Sequence, residues 1–160
     1  MFYQFDQNNS GGSFVIDDKL CHRLFIEADN YIEAEEKAFD MGVYFDGCEK
    51  GLDCSCCGDR WYSGDELDLN SINEKGYTVS EMKSGYGGNP EYMWEAKYRK
   101  YNVLVEPQWR EGFAFPIYEG KIQFANIEEY VGFLTTEYGY GKGVEARIFY
   151  KDGKVKEYIK

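Results

Sequence analysis

The chain has 160 residues, 43% of them apolar and 18% aromatic, and a formal net charge of −11 from 18 basic and 29 acidic side chains. That apolar share excludes wholesale disorder, and the acidity excludes nonspecific attraction to nucleic-acid phosphates or anionic membranes. The length predicts one domain over residues 1–160, able to bury roughly 68–70% of the surface its unfolded chain would expose.

In chain order, Met1 to Asp6 carries no basic leader, and no run in the sequence approaches the ~20 apolar residues that span a bilayer. A soluble, cytoplasmic protein is expected. Residues 2–5 and 13–17 predict strands on either side of a polar turn that ends in Gly11-Gly12. Arg23 to Ala28 predicts another strand, after which Asp29 or Asn30 caps a helix starting at Tyr31. With Asn30 as the cap, Glu33 takes the capping-box position, and Gly42 supplies the left-handed residue that stops the helix. Val43-Tyr44-Phe45 reads as a short strand leading into a cysteine-rich loop. From Trp61 to Pro90 the text is polar and glycine-punctuated, with only Tyr77-Thr78-Val79 strand-like, so this stretch reads as a mobile or partner-facing region.

Trp94, Ala96 and Tyr98 alternate with charged residues, which predicts strand over most of Tyr92 to Glu106, ending at Pro107. Phe113 to Tyr118 and Lys121 to Phe124 predict a hairpin across Glu119-Gly120. Asn126 and Glu129 repeat the capping pattern, and Ile127, Tyr130, Val131, Leu134 and Tyr138 form one helical stripe that ends at Gly139. Val144 to Tyr150 and Val155 to Ile159 predict a last hairpin around Asp152-Gly153. The expected fold class is α+β: a mainly antiparallel sheet with two principal helices and a zinc-knuckle-like loop.

Four of the five cysteines lie in the ten residues from Cys48 to Cys57. Cys54, Cys57 and Gly58 form a C-x-x-C-G knuckle, a turn that aims two thiolates at one point. Cys48 is near enough along the chain to be a third ligand, and His22, beside Cys21, is the candidate fourth. Cys56 falls between the knuckle cysteines and is expected to point away, unless a distorted turn exchanges it for Cys57. A structural zinc is the expected cofactor, because an odd number of crowded cysteines in a reducing compartment suits metal better than disulfides. With one histidine in the chain, a hydrolytic zinc enzyme with His-rich ligation is the least favoured alternative. Asp65, Glu66 and Asp68 lack the spacing of a calcium loop and read as a solvated acidic stretch.

Tyr138-Gly139-Tyr140-Gly141-Lys142-Gly143 carries a different possibility. Glycine amides and Lys142 suit phosphates, and Tyr138 and Tyr140 suit stacked bases, although the dinucleotide and P-loop fingerprints are missing. The alternative function built on it is a sponge for a small signalling nucleotide, acting as a homo-oligomer.

Gly11-Gly12-Ser13-Phe14, the strand and helix from Arg23 to Gly42, and the string Asp53-Cys54-Ser55-Cys56-Cys57-Gly58-Asp59-Arg60-Trp61 resemble small accessory proteins of tailed bacteriophages. The resemblance covers about residues 1–62. It implies a phage-encoded, noncatalytic binder that inhibits a host protein or defence system in the host cytoplasm. Charge is consistent with that expectation, since an acidic, aromatic-rich surface favours a host partner with a basic surface. Neither direct nucleic-acid binding nor a membrane partner is expected.

Overall fold

A period-two pattern places Tyr3 and Phe5 on the buried face of β1 (Phe2–Asp6), the strand around which one sheet is built. The computed structural model describes residues 1–75, 77–79, 102–108, 111–112, 117–136 and 144–159. The remaining elements are β2 (Arg23–Glu27), α1 (Tyr31–Met41), β3 (Asp65–Leu67), α2 (Leu69–Lys75), β4 (Tyr77–Val79), β5 (Asn102–Gln108), β6 (Ile117–Gln123), α3 (Ile127–Thr136), β7 (Ala146–Phe149) and β8 (Val155–Tyr158). The fold is α+β, with mainly antiparallel strands. It divides into two compact units, Met1–Asp68 with Val131–Lys160 and Leu69–Tyr130.

The first unit holds a five-stranded sheet in the order β3-β1-β2-β7-β8. Every neighbouring pair is antiparallel except β2 and β7, which run parallel with Phe25 opposite Ile148. β2 is central, and the three residues of its Leu24-Phe25-Ile26 run are fully buried because both of its faces are covered. Leu24 and Ile26 share a face with Tyr3 and Phe5 and join Ala34, Ala38, Val43 and Trp61 in one core cluster under α1. Phe25 points to the other face, which it shares with Ile148, Ala146 and Tyr158. There Gly132 of α3 lies so close that a Cβ would stand 3.4 Å from the Tyr158 ring.

α1 begins and ends as its sequence dictates. Asn30 Oδ1 accepts from the Glu33 N–H at 2.9 Å, and Glu33 Oε2 accepts from the Asp29 N–H at 2.9 Å. Gly42, at φ 113°, donates to Phe39 O at 3.0 Å while Val43 donates to Ala38 O at 3.0 Å, the paired bonds of a Schellman stop. The last hairpin also forms as predicted, with Gly153 at φ 91° in its turn.

Two expected strands of the first unit are replaced by irregular backbone. Residues 13–16 make no ladder, because the Gln7 side-chain amide takes the partner strand's place: Val15 N–H donates to its Oε1 at 2.6 Å and its Nε2 donates to Val15 O at 3.1 Å. Residues 43–45 leave the helix stop as a bend, and Tyr44 and Phe45 turn into side-chain packing rather than pairing. Conversely, the stretch read as loop after Trp61 contains β3 and α2. β3 is an edge strand whose Asp65 and Glu66 are exposed, a composition that discourages pairing with another chain.

The second unit carries a three-stranded antiparallel sheet, β4-β6-β5. The hairpin expected across Glu119-Gly120 is not there: both residues lie inside β6, opposite Glu106 and Val105 of β5. Glycine in a strand interior gave a false turn signal here. β5 likewise runs through Pro107, which an edge strand tolerates because one side of its backbone has no ladder to break. A second amide clamp holds α2 to β6's end: Asn73 Nδ2 donates to Phe124 O at 2.7 Å, and Phe124 N–H donates to Asn73 Oδ1 at 2.7 Å. Asn126 caps α3 through a 2.9 Å bond from Glu129 N–H, repeating the arrangement at α1.

Candidate metal centre

The loop of residues 46–60 starts where α1's exit leaves the chain. Asp46, at φ 58°, reverses direction, and Gly47 O then accepts from Leu52 N–H at 2.7 Å and Asp53 N–H at 3.0 Å. A Cβ on Gly47 would collide with the Asp53 carboxylate and the Tyr44 ring. That close approach allows Asp53 to sit with its side chain 1% exposed at the middle of a network. Its carboxylate accepts from Tyr44 O–H at 2.6 Å and Arg60 N–H at 2.8 Å, and pairs with Arg60 Nε at 3.8 Å.

Arg60 carries the loop onto the amino-terminal strap. Its guanidinium donates to Ser10 O and Ser13 O, both at 2.8 Å. Three further bonds cross the same seam. Cys54 N–H donates to Ser10 Oγ at 3.1 Å, Asn8 Nδ2 donates to Cys57 O at 2.9 Å, and Asn8 N–H donates to Arg60 O at 2.6 Å. Each bond of this kind contributes about 1 kcal/mol, more where charge is involved, so the loop is ordered by its polar groups rather than by apolar burial.

On that base, Cys54 to Gly58 makes a single tight turn. Cys57 and Gly58 N–H both donate to Cys54 O, at 3.3 and 3.1 Å, and Gly58 adopts φ 89°. The turn gathers three sulfurs. Cys54 and Cys56 Sγ are 2.9 Å apart, Cys56 and Cys57 Sγ 3.9 Å, and all three lie within 4.8 Å of one another. Cys54 is half-buried, whereas Cys56 and Cys57 are exposed. These three cysteines are close enough to hold a metal ion. Thiolates on one zinc, with bonds of about 2.3 Å at tetrahedral angles, stand about 3.8 Å apart. The Cys56–Cys57 spacing already matches, and Cys54–Cys56 needs to open by under about 1 Å, which an exposed Cys56 side chain can do by rotating.

Protonation distinguishes Cys54 from Cys56. Hydrogen bonds from Cys56 and then Cys57, with their backbone amides, bring the Cys54 thiol down to about 7, and the same contact pushes Cys56 up to about 11. A cation bound there would have to displace the proton that Cys54 and Cys56 share.

Of the ligands expected from spacing, Cys54 and Cys57 are brought together, and Cys56, expected to point away, joins them. The reason is the turn's tightness: Cys57 and Gly58 both close back on Cys54 O, which folds the short stretch between them onto itself. Cys48 stands beside the cluster. Its thiol donates to Cys54 O at 3.2 Å, and desolvation followed by the Asp59 carboxylate pushes its pKa to about 11. His22 is engaged elsewhere: Nδ1 accepts from Glu145 N–H at 3.0 Å and the ring packs on Phe14 at 4.3 Å. Cys21 is buried, donates to Arg23 O at 3.3 Å, and is likewise held at about 11, chiefly by burial. Tyr138, Tyr140 and Lys142 lie outside the described residues. Sequence reasoning missed the Tyr44–Asp53–Arg60 network altogether; an aspartate within the loop and an arginine just beyond the knuckle are too common to signal it.

A family model described as a domain of unknown function (DUF7296) matches residues 1–105. The chain belongs to that family. No curated protein and no solved structure matches it. The DUF7296 match takes in all five cysteines and the strap, while α3 and the β7–β8 hairpin lie beyond it. Among the described residues, no helix is long and apolar enough to cross a membrane.

Proposed function

We propose that this DUF7296 chain is a noncatalytic binding protein, phage-encoded and directed against a host protein or defence system in the host cytoplasm. In this reading a zinc ion on Cys54, Cys56 and Cys57 stiffens the loop, and the neighbouring surface engages a basic partner. The observation that carries it is the convergence of three thiols, within 4.8 Å, on a loop bonded to a strap whose Phe14, Val15 and Ile16 are 39–45% exposed. Consecutive exposed apolar side chains beside a fixed loop suit an interface more than a reaction centre. The net charge of −11 supports a basic partner by steering its approach. All-sulfur ligation also suits structure better than hydrolysis, because three anionic ligands quench the Lewis acidity a hydrolytic ion needs.

The test has two parts. Metal analysis of protein purified without added metal should find one zinc per chain, lost in Cys54→Ser/Cys57→Ser. Retention of a host protein on the immobilised chain should weaken as ionic strength rises and weaken again when Phe14 and Ile16 become Ser. A metal-free protein that still folds its loop would end the zinc part. A partner held equally at low and high salt would end the charge-steered part.

A further inference from the structure

Among the described residues, the cluster of Cys54, Cys56 and Cys57 offers one ligand fewer than a closed zinc site takes. Zinc in closed structural sites takes four protein ligands, whereas the described residues here converge three sulfurs and no fourth donor. Cys48 is committed to the Cys54 carbonyl and His22 to the Glu145 amide, so neither donor is free to turn inward without breaking a bond. Exposure is one-sided: Cys54 is anchored on the strap through its amide, and Cys56 and Cys57 face solvent. A further position on an ion held by these three sulfurs would therefore face outward.

Resting on the metal-binding reading above, we infer that the ion's fourth coordination position is filled from outside the chain by a neutral imidazole donor. Charge selects the donor class. Three thiolates on a divalent ion already leave one excess negative charge. The loop from Asp46 to Arg60 adds four carboxylates against two basic side chains, and its arginine is spent on Asp53 and the strap carbonyls. A fourth thiolate would bring a second uncompensated charge into this acidic setting, while imidazole brings none. A histidine on a docking protein is the natural source, next to the exposed Phe14-Val15-Ile16 strap that an apolar surface would cover. The metal would then act as a contact point in recognition.

Cobalt(II) replaces zinc and reports its ligands by absorption. Titrating the full chain with cobalt should give tetrahedral ligand-field bands and a sulfur-to-cobalt charge-transfer band of three-thiolate intensity. Cys54→Ser, Cys56→Ser and Cys57→Ser should each remove one sulfur's share, and Cys48→Ser none. Adding free imidazole should then shift the ligand-field bands saturably through isosbestic points, with the charge-transfer intensity kept. The same concentration of 2-mercaptoethanol should shift them less. Light scattering on the loaded protein separates the sources: a monomer that responds to imidazole has a position open to a different molecule, which supports the inference. A cobalt-dependent dimer would overturn the imidazole donor, because the chain's one histidine is already engaged with the Glu145 amide and a second copy could offer only a thiolate or carboxylate. Loss of charge-transfer intensity in Cys48→Ser, or bands unmoved by imidazole, would overturn the inference while leaving the metal site standing. Failure to bind cobalt at all would instead remove the metal-binding reading beneath it.

Discussion

Replacing Asp53 by Ala should destabilise the chain by removing the acceptor at the middle of the loop's hydrogen-bond network. The substitution deletes the acceptor for Tyr44 O–H at 2.6 Å and Arg60 N–H at 2.8 Å and the 3.8 Å ion pair with Arg60 Nε. Arg60 keeps the Ser10 and Ser13 carbonyls, and half-buried Tyr44 can rehydrate, so the full cost of stranding a buried partner is not incurred. Two hydrogen bonds to a charged acceptor at about 1.5–3 kcal/mol each, less that rehydration, give about 3 kcal/mol. This sits at the lower end of the roughly 3–5 kcal/mol seen when a buried pair loses one member. For a chain of this size about 3 kcal/mol lowers the melting midpoint by about 6–12 °C. Circular dichroism melts of wild type, Asp53→Ala and Asp53→Asn would measure it. Asparagine keeps one acceptor, so it should cost about half as much. A midpoint within about 2 °C of wild type for Asp53→Ala would refute the claim that polar bonds order this loop. An asparagine variant as unstable as the alanine one would shift the burden from hydrogen-bond count to charge.

Gly47→Ala should reproduce the Asp53→Ala loss, because its new Cβ displaces the same carboxylate, and the double variant should be barely worse than either single one in the same melts. Asn30→Ala and Asn126→Ala should each cost about 1 kcal/mol in urea unfolding, since each removes the side-chain acceptor of one helix start. Stability should decline as pH falls below about 6.5, because burial lowers the His22 pKa and the unfolded chain takes up the proton first. His22→Gln should flatten that decline in pH-dependent melts, leaving only the loss at lower pH as the carboxylates of Asp17, Asp29, Glu33 and Asp59, held below their ordinary values, become protonated.

What could be read beforehand was whatever the chain states locally. Asn30 with Glu33, Gly42, Asn126 with Glu129, and Asp152-Gly153 each act through bonds to backbone within a few residues, so their placement needed no tertiary information. The errors share the opposite property. Ser13 to Asp17, with three apolar residues in a row, reads like a strand, but the Gln7 amide satisfies Val15's backbone, and a glutamine eight residues away looks like any other. Gly120 resembles a turn until two flanking strands, from elsewhere in the chain, pin it straight. In the cysteine loop, C-x-x-C spacing picked out Cys54 and Cys57, which the turn brings together, yet the tightness that adds Cys56 comes from the turn's backbone bonds and from the seam to Ser10 and Asn8. Cys48 and His22 were plausible by proximity along the chain or by chemistry, but each has a nearer partner in space.

The parallel pairing of β2 with β7 joins Arg23 to Ala146, residues made far apart in time by a ribosome that adds roughly 5–20 residues each second. Until the last hairpin emerges, the inner edge of β2 has no ladder to join and must wait for several seconds beside its own translation machinery. Premature termination before β7 is made would therefore release a sticky half-sheet, making chain length itself a checkpoint for clean expression.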